Sequence, residues 1–385
     1  MAPWVPSPER PRSFGLLKIL SARNDVVAVV LTWGDDDDEA ARRLEQLFPI
    51  RVFTVRAGRR GGVLRALRAV PSRRSLQQAY VDVPEFRRVV AARAVEHDPD
   101  VAYFNVLRSA QLFDAVTAEA AVMDLDEIRS DYYRQLARDS RNWTWRAIAA
   151  AESRRMRRAE EHIFSAFTRV LVSSPVELST GRPQVALVRS PHALTGGKRE
   201  PRPPLGRRPG PPTVLFVGRL SYRANVEALQ WFVRSVLPDL RDRTPDVRLL
   251  VVGRGAGRSV RELAGGAVEL VGAVEDVTPY YRSADVAITP IYVGTGVQMK
   301  LIESLAVGAP AVVSDAAASR AGITGGEARV VAKDTGAWVE AIAGLLEDVV
   351  GAEELGRRGQ RWAMDNYSPR AIESQFSSAL DELGL

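Results

Sequence analysis

The chain contains no cysteine. That excludes disulfides, thiolate metal sites and cysteine nucleophiles, and makes a reducing cytoplasmic compartment the default expectation. Histidine is nearly as scarce. His97, His162 and His192 are the only three, too few and too scattered for a histidine-rich metal site. Lysine is also rare, with four lysines against 49 arginines in 385 residues, so each lysine is conspicuous. No run approaches the ~20 apolar residues of a membrane-spanning helix. The opening stretch MAPWVPSPERPRSFG is broken by prolines and lacks the apolar core of a secretory signal.

What is present fits an enzyme-sized globular protein. A chain of 385 residues with 46% hydrophobic content has ample length for two domains of ordinary size. The net charge of +6 is unevenly spread. Residues 1–190 carry 30 basic against 24 acidic side chains, residues 191–212 five against one, and residues 213–385 18 against 22. A basic first half suits an anionic partner such as phospholipid headgroups or a phosphorylated acceptor. A solvated arginine-rich surface accounts for the same count. Nucleic acid is not expected, because no recognition helix or aromatic stacking motif is evident.

The chain divides at residues 195–212, TGGKREPRPPLGRRPGPP, a Pro-, Gly- and Arg-rich stretch that reads as a linker. The predicted domains are therefore 1–194 and 213–367, with a last helix over 368–385 crossing back to the first domain. After the linker, strands and helices alternate. Strands are predicted at 213–217, 247–252, 268–271, 286–290 and 311–314, with helices at 226–240 and 278–283 among them. This rhythm predicts α/β architecture with a parallel, doubly wound sheet. The first half follows the same pattern more loosely, with strands at 26–32, 51–55, 101–105, 120–124 and 169–173 and helices at 39–47 and 146–164. Two such domains frame a cleft, and ligands in open α/β sheets bind at the carboxyl ends of strands.

Residues 290–310, PIYVGTGVQMKLIESLAVGAP, are the most informative segment. They read as a strand end, a turn containing Gly294 and Gly296, and a helix starting near Val297. Such a turn leaves backbone N–H groups uncovered where the helix dipole is positive, which suits a diphosphate. Lys300 adds a point charge for phosphate, and Glu303, on nearly the same face, can accept from ribose hydroxyls. A core helix with Val297, Leu301 and Leu305 as its buried stripe is the plainer reading, and the two are compatible.

Other motifs are weaker. Asp35, Asp36, Asp37 and Asp38 with Glu39 could form a metal cluster, but an exposed acidic helix start is the better fit. The run 253–257, GRGAG, imitates a dinucleotide fingerprint, yet Arg258 occupies the third-glycine position and no suitably spaced acid follows. Ser173 and Ser174 follow a strand without a nucleophile elbow. His192 reads as a loop histidine.

On these residues the chain resembles the GT-B glycosyltransferases, specifically the retaining nucleotide-sugar-dependent family 4. The likeness is carried by VLFVGRLSYRANVEALQWF (214–232), VRLLVVGRG (247–255), VELVGAVEDVTPYYRSADVAITP (268–290) and GTGVQMKLIESLAVGAPAVVSD (294–315). In the first half it rests on AVMDLDEIRSDYY (121–133) and RVLVSSPVE (169–177). The resemblance implies two Rossmann-like domains facing a cleft, with the donor held by the second. It places Gly218 and Arg219 at a turn on the diphosphate, Lys300 as the second phosphate cation, Glu303 on the ribose, and Gly294, Thr295, Gly296 and Val297 under the sugar and phosphates. Val274 and Val277 fall where the backbone faces the base.

Three positions depart from the family. The first glutamate of its Glu-x7-Glu motif is replaced by Thr295, a lysine expected soon after the Gly-Arg turn is replaced by Arg223 and Asn225, and a histidine expected after the strand at 120–124 is replaced by Leu125 and Asp126. Asp124 or Asp126 could orient the acceptor, or cap a helix. Arg12 and Ser13 lie where the family has a glycine-rich acceptor loop, after an expected short first strand.

The implied function is transfer of a sugar from a nucleotide diphosphate sugar to an acceptor hydroxyl on a glycan, glycolipid or secondary metabolite. It would proceed with retention, without metal or other cofactor, and in the cytoplasm with peripheral contact to an anionic membrane left open. A non-catalytic nucleotide-sugar-binding or scaffold protein, prompted by Thr295, and a sugar-nucleotide epimerase are the alternatives.

Overall fold

The computed structural model describes residues 5–7, 11–140, 142–191 and 210–381. The predicted linker lies outside the described residues except for 210–212, and His192 lies outside them too. The chain forms two compact units, Met1–Pro191 with Ile372–Leu385, and His192–Ala371.

In the first unit, β1 (Val26–Thr32) and β2 (Ile50–Arg56) form a parallel pair. A second, four-stranded parallel sheet runs β3 (Val101–Asn105), β4 (Ala120–Asp126), β5 (Arg169–Val172), β6 (Val185–Leu187). The alternation of side chains along β4 and β5 separates two cores. Met123, Val170 and Val172 face Met156 and Ile163 of the helix Trp143–Ala166. Val122 and Leu171 face Leu16 of the helix Pro11–Ser21 and Ile372 and Phe376 of the helix Pro369–Asp381.

The start of the chain departs from expectation. Arg12 and Ser13 do not sit on a glycine-rich loop but in the first turn of the helix Pro11–Ser21, and among the described residues no strand precedes β1. The reason is local. Pro11 is preorganised for a first helical position, and Leu16 and Leu17 are drawn into separate buried clusters beside β4 and β1.

The second unit has β7 (Thr213–Val217), β8 (Arg248–Val252), β9 (Val268–Gly272), β10 (Val286–Thr289), β11 (Ala311–Ser314) and β12 (Arg329–Val331). Their order is β12-β11-β10-β7-β8-β9, all parallel. The chain winds outward from β7 in one direction and then from β10 in the other, so the switch point lies between these two neighbours. Every residue of β7 and β10 is buried, as expected of central strands covered on both faces.

The helix expected over 226–240 is interrupted. It runs Arg223–Trp231, opens into a π turn at Phe232–Val236, and resumes at Leu237–Arg243. Pro238 has no N–H to donate back along the helix, and the widened turn takes up the mismatch. The turn keeps Phe232 and Val236 fully buried, with Phe232 edge-on to Trp338.

Strand ends converge through glycine. Gly253, directly after β8, has φ 157, and a Cβ there would lie 1.8 Å from the carbonyl oxygen of Gly218, directly after β7. The two chain reversals can approach this closely only without a side chain at 253. Gly253→Ala is therefore expected to lower stability by roughly 2–4 kcal/mol, measured by urea unfolding. An unchanged midpoint would show that the two strand ends are not locked together.

Candidate functional site

The carboxyl edge of the six-stranded sheet brings distant positions together. Gly218 follows β7 and donates its N–H to Val252 O at 2.9 Å. The next residue, Arg219, is exposed, and its carbonyl accepts from Asn225 Nδ2 at 2.9 Å. Asn225 is itself buried. Its Oδ1 accepts from Lys300 Nζ, which arrives from the helix Met299–Val307. The ammonium also lies 5.0 Å from the centre of the Phe216 ring. Gly218 sits against this group, since a Cβ there would meet Asn225 Nδ2 at 2.9 Å and Lys300 Nζ at 3.1 Å.

Burial dominates the chemistry of Lys300. It draws the ammonium down to about 7, against a smaller opposing pull from Glu303. An amide oxygen and an aromatic face stabilise a cation less than a carboxylate would.

One turn on, Glu303 accepts from the buried Tyr281 hydroxyl at 2.9 Å, and the same hydroxyl lies 3.1 Å from Lys300 O. Burial first, then Glu303, raises the Tyr281 phenol, so it remains a donor at ordinary pH. Tyr281 therefore fixes the carboxylate that Glu303 presents. It lies on the helix Thr278–Ser283, whose cap is Val277. Val277 and Val274 both pack on the cluster of Val217, Val252 and Tyr281.

The turn before the helix holds Gly294 at φ 122, a conformation that suits glycine. A Cβ there would lie 3.9 Å from the Tyr222 hydroxyl, so this turn adjoins the one after β7. Gly296 O accepts from Gln298 Nε2 at 3.2 Å. The helix starts at Met299 with Gln298 as its cap, close to the expected start near Val297, which places Lys300 in its first turn, where the dipole is strongest. Val297 packs beside the fully buried Leu301 and Leu305, so the helix serves both core and site. Arg223 ion-pairs with Glu227 at 2.6 Å on an exposed surface. Thr295 is half-buried in the turn.

Sequence reasoning overlooked Tyr281 and gave Asn225 no role. Both are recognisable only once tertiary contacts join them to Glu303 and Lys300.

At the carboxyl edge of β4 in the first unit, the outcome differs. Arg12 is buried and donates to both carboxylate oxygens of Asp124, at 2.6 and 2.9 Å to one and 3.2 Å to the other, and to Val188 O at 2.6 Å. It lies 3.4 Å from Asp126. Burial works against the guanidinium charge, but Asp124 and Asp126 outweigh it and push Arg12 up. Asp124 is fully buried and its carboxylate is taken up by Arg12, so the two answer each other's charge within the protein. Asp126 retains 40% side-chain exposure and stands at a register shift with φ 64. Ser173 clamps it there by donating N–H and Oγ–H to Asp126 O at 2.9 and 3.0 Å. Ser13 is half-buried on the neighbouring helix turn.

The acidic run begins the helix Asp35–Leu47. Asp37 accepts from Trp33 N at 3.0 Å, while Asp35 and Asp38 pair with Arg56. Among the described residues no group of three acids or histidines is arranged to hold a metal ion.

Residues 211–348 match the family model described as "Glycosyl transferases group 1". A phosphatidyl-myo-inositol mannosyltransferase of Mycolicibacterium smegmatis is 35% identical over 46% of this chain and 44% of its own length. A Mycobacterium leprae protein of the same description is 35% identical over 43% and 45%. The chain thus spans less than half the length of these curated relatives in the matched region. Among solved structures, a sucrose-phosphate synthase from Thermosynechococcus elongatus aligns with TM-score 0.64 at 19% identity, covering 94% of this chain and 99% of that one. Anabaena HepE, solved in complex with UDP, aligns at 0.63 and 15%, covering 96% and 95%. The fold is GT-B, and residues 211–348 carry the sequence of a group 1 glycosyl transferase domain.

Lys300 makes stability depend on pH. Below pH ~7 it is protonated folded and unfolded, and the folded state alone bears its burial. Between about 7 and the ordinary lysine value of 10.5 the unfolded chain binds more protons, so stability rises with pH. Lys300→Met is expected to be more stable than the parent by roughly 1–3 kcal/mol at pH 6, the gap closing by pH 9 in urea unfolding. A gap independent of pH would show that the ammonium is well solvated.

Proposed function

We propose that this chain is a retaining glycosyltransferase that moves a sugar from a nucleotide diphosphate sugar to an acceptor hydroxyl. The observation that carries this reading is Lys300, a partly buried ammonium at a helix start, held by an amide oxygen beside the Gly218 turn. Such a cation is stabilised by an incoming polyanion. Arg219, Lys300 and the N-terminus of the helix Met299–Val307 would take up the charge that develops on the leaving diphosphate, and no cofactor is assigned to that role. Glu303, oriented by Tyr281, would hold the ribose, and the backbone near Val274 and Val277 would face the base. Gly294, Thr295, Gly296 and Val297 would line the sugar and phosphates, with Arg223 at the margin.

The glycosidic C–O bond would break toward an oxocarbenium-like state. The departing phosphate oxygen would take the acceptor proton as the acceptor oxygen bonds to the same face. Of the acceptor candidates, Asp126 and Ser13 remain, with a glycan, glycolipid or secondary metabolite as the acceptor class. The mannosyltransferase relatives, named for a phosphoinositide, favour a lipid-linked acceptor and a peripheral membrane setting.

Thr295, in place of a glutamate, supports the second reading of a binding protein without turnover. Release of a nucleoside diphosphate from a sugar nucleotide on addition of acceptor decides for the transferase. Conversion of the sugar nucleotide to an isomer without acceptor decides for an epimerase.

Nucleoside diphosphate binding should require protonated Lys300. Affinity is therefore expected to fall as pH rises above about 7, by up to about tenfold per pH unit. Titration calorimetry from pH 6 to 9 tests this, and Lys300→Met should flatten the profile. Glu303→Ala should weaken nucleoside diphosphate by about 1–3 kcal/mol while leaving inorganic pyrophosphate unaffected. Equal losses for both ligands would remove Glu303 from the ribose.

A further inference from the structure

The helix Arg59–Arg68 is amphipathic in the wrong sense for a soluble surface. Its inner face is Gly62, packed on the Tyr80 ring, and Arg65, which donates to Tyr80 O at 3.0 Å. Its outer face carries Val63, Leu64 and Leu67, each about half exposed or more, and Val70 follows just beyond. Arg59, Arg60 and Arg68 stand among them, exposed. From residue 46 to residue 81 there are eight arginines and no acidic side chain. Five of the eight, Arg59, Arg60, Arg65, Arg68 and Arg73, have no ion-pair partner among the described residues, Arg65 being held instead by the Tyr80 carbonyl.

A second exposed apolar group adjoins this one. Arg155, on the helix Trp143–Ala166, donates to Val70 O, and Glu152 on the same helix accepts from Ser75 Oγ at 2.8 Å and Leu76 N at 2.9 Å. This face of the helix therefore lies along residues 70–76. Continuing toward its N-terminus, the same helix exposes Ile148, Trp145 and Trp143, with Trp143 77% accessible. Arg146 is exposed between them. The exposed acid nearest in sequence is Asp139, next to Arg138.

We infer that this face of the first unit docks on an anionic lipid bilayer, with its leucines, valines and tryptophans entering the interfacial zone and its unpaired arginines on headgroup phosphates. Apolar side chains bordered by cations match the two layers of a membrane interface, and tryptophan favours that boundary. A nucleic acid backbone would engage the arginines but leave the aliphatic side chains in water. No helix among the described residues is long and apolar enough to cross a membrane, so the contact is peripheral. The inference rests on the proposed transferase reading only for its purpose, which is bringing the site to a lipid-linked acceptor.

The test is co-sedimentation of the full chain with vesicles of phosphatidylcholine alone or with 30% phosphatidylglycerol. Binding is expected to the anionic vesicles only and to weaken with salt. Arg60→Ala with Arg68→Ala should reduce partitioning about 25-fold, taking each arginine near an anionic surface as worth about fivefold. Leu64→Asp with Leu67→Asp should reduce it at least tenfold. Brominated lipid should quench the parent's tryptophan fluorescence, and Trp143→Phe with Trp145→Phe should remove that quenching. Thermal shift by UDP or GDP, measured on the same variants, confirms that they fold and reads the donor site separately. An unchanged nucleotide response with lost sedimentation supports the inference. Absence of sedimentation by the parent at low salt, or equal binding by the leucine variant, overturns it whatever the nucleotides do.

Discussion

The second unit is organised around a cation drawn partly out of water without a carboxylate in contact to neutralise it. Lys300 leans on the Asn225 amide and the Phe216 ring, and burial outweighs the attraction of Glu303. Left without a ligand, this arrangement detracts from stability. A functional requirement that only the bound state fulfils would explain why a lysine stands here in a chain that elsewhere uses arginine almost without exception. Arginine would be a poor replacement. Its broad, permanently charged guanidinium could not yield its proton on burial, and it would meet Gly218, where even a Cβ would come within 3.1 Å of the ammonium.

Arg12 makes the contrast visible. It too lies buried at the carboxyl edge of a parallel sheet, but Asp124 meets it with both oxygens and Asp126 stands close by. Its charge is answered within the protein, which leaves little of it for a ligand. Similar positions in two parallel sheets thus have opposite uses, and the difference is the presence of a carboxylate. By this criterion the proposed donor side rests on Lys300, and on the first unit the exposed candidate is Asp126, whose backbone is held at positive φ by Ser173.

Much of this was legible in the sequence because buried parallel strands read as unbroken apolar runs. The strands Thr213–Val217 and Ala311–Ser314 and the helix Thr278–Ser283 have the predicted bounds. Lys300 was conspicuous through rarity, and Glu303 through helical spacing from it. What was not legible depends on contacts remote in sequence. Asn225 reaches Lys300 across 75 positions, and Tyr281 reaches Glu303 across 22, so neither could be recognised from local pattern. Arg12 was misplaced on a loop because its helical start is stabilised by cores assembled from β1, β4 and the last helix. The division of the first unit's strands into two sheets was equally invisible in apolar runs, which record burial but not pairing.

The arginine count posed a related ambiguity, since a basic half-chain can be solvated surface or binding surface. Resolving it requires knowing which side of an element faces outward. In the helix Arg59–Arg68, small Gly62 turns inward to the Tyr80 ring, while Val63, Leu64 and Leu67 turn out. Inward glycine allows close packing, but it leaves the helix's apolar area in water, where it contributes nothing to the fold. Scattered exposed aliphatics are ordinary on any protein surface. Their gathering with two tryptophans and with arginines that lack acidic partners is not, because solubility alone would favour charges of both signs interspersed there. Charge alone therefore did not distinguish the two readings. The orientation of one short helix is what favours the binding surface, by leaving Val63, Leu64 and Leu67 exposed among arginines.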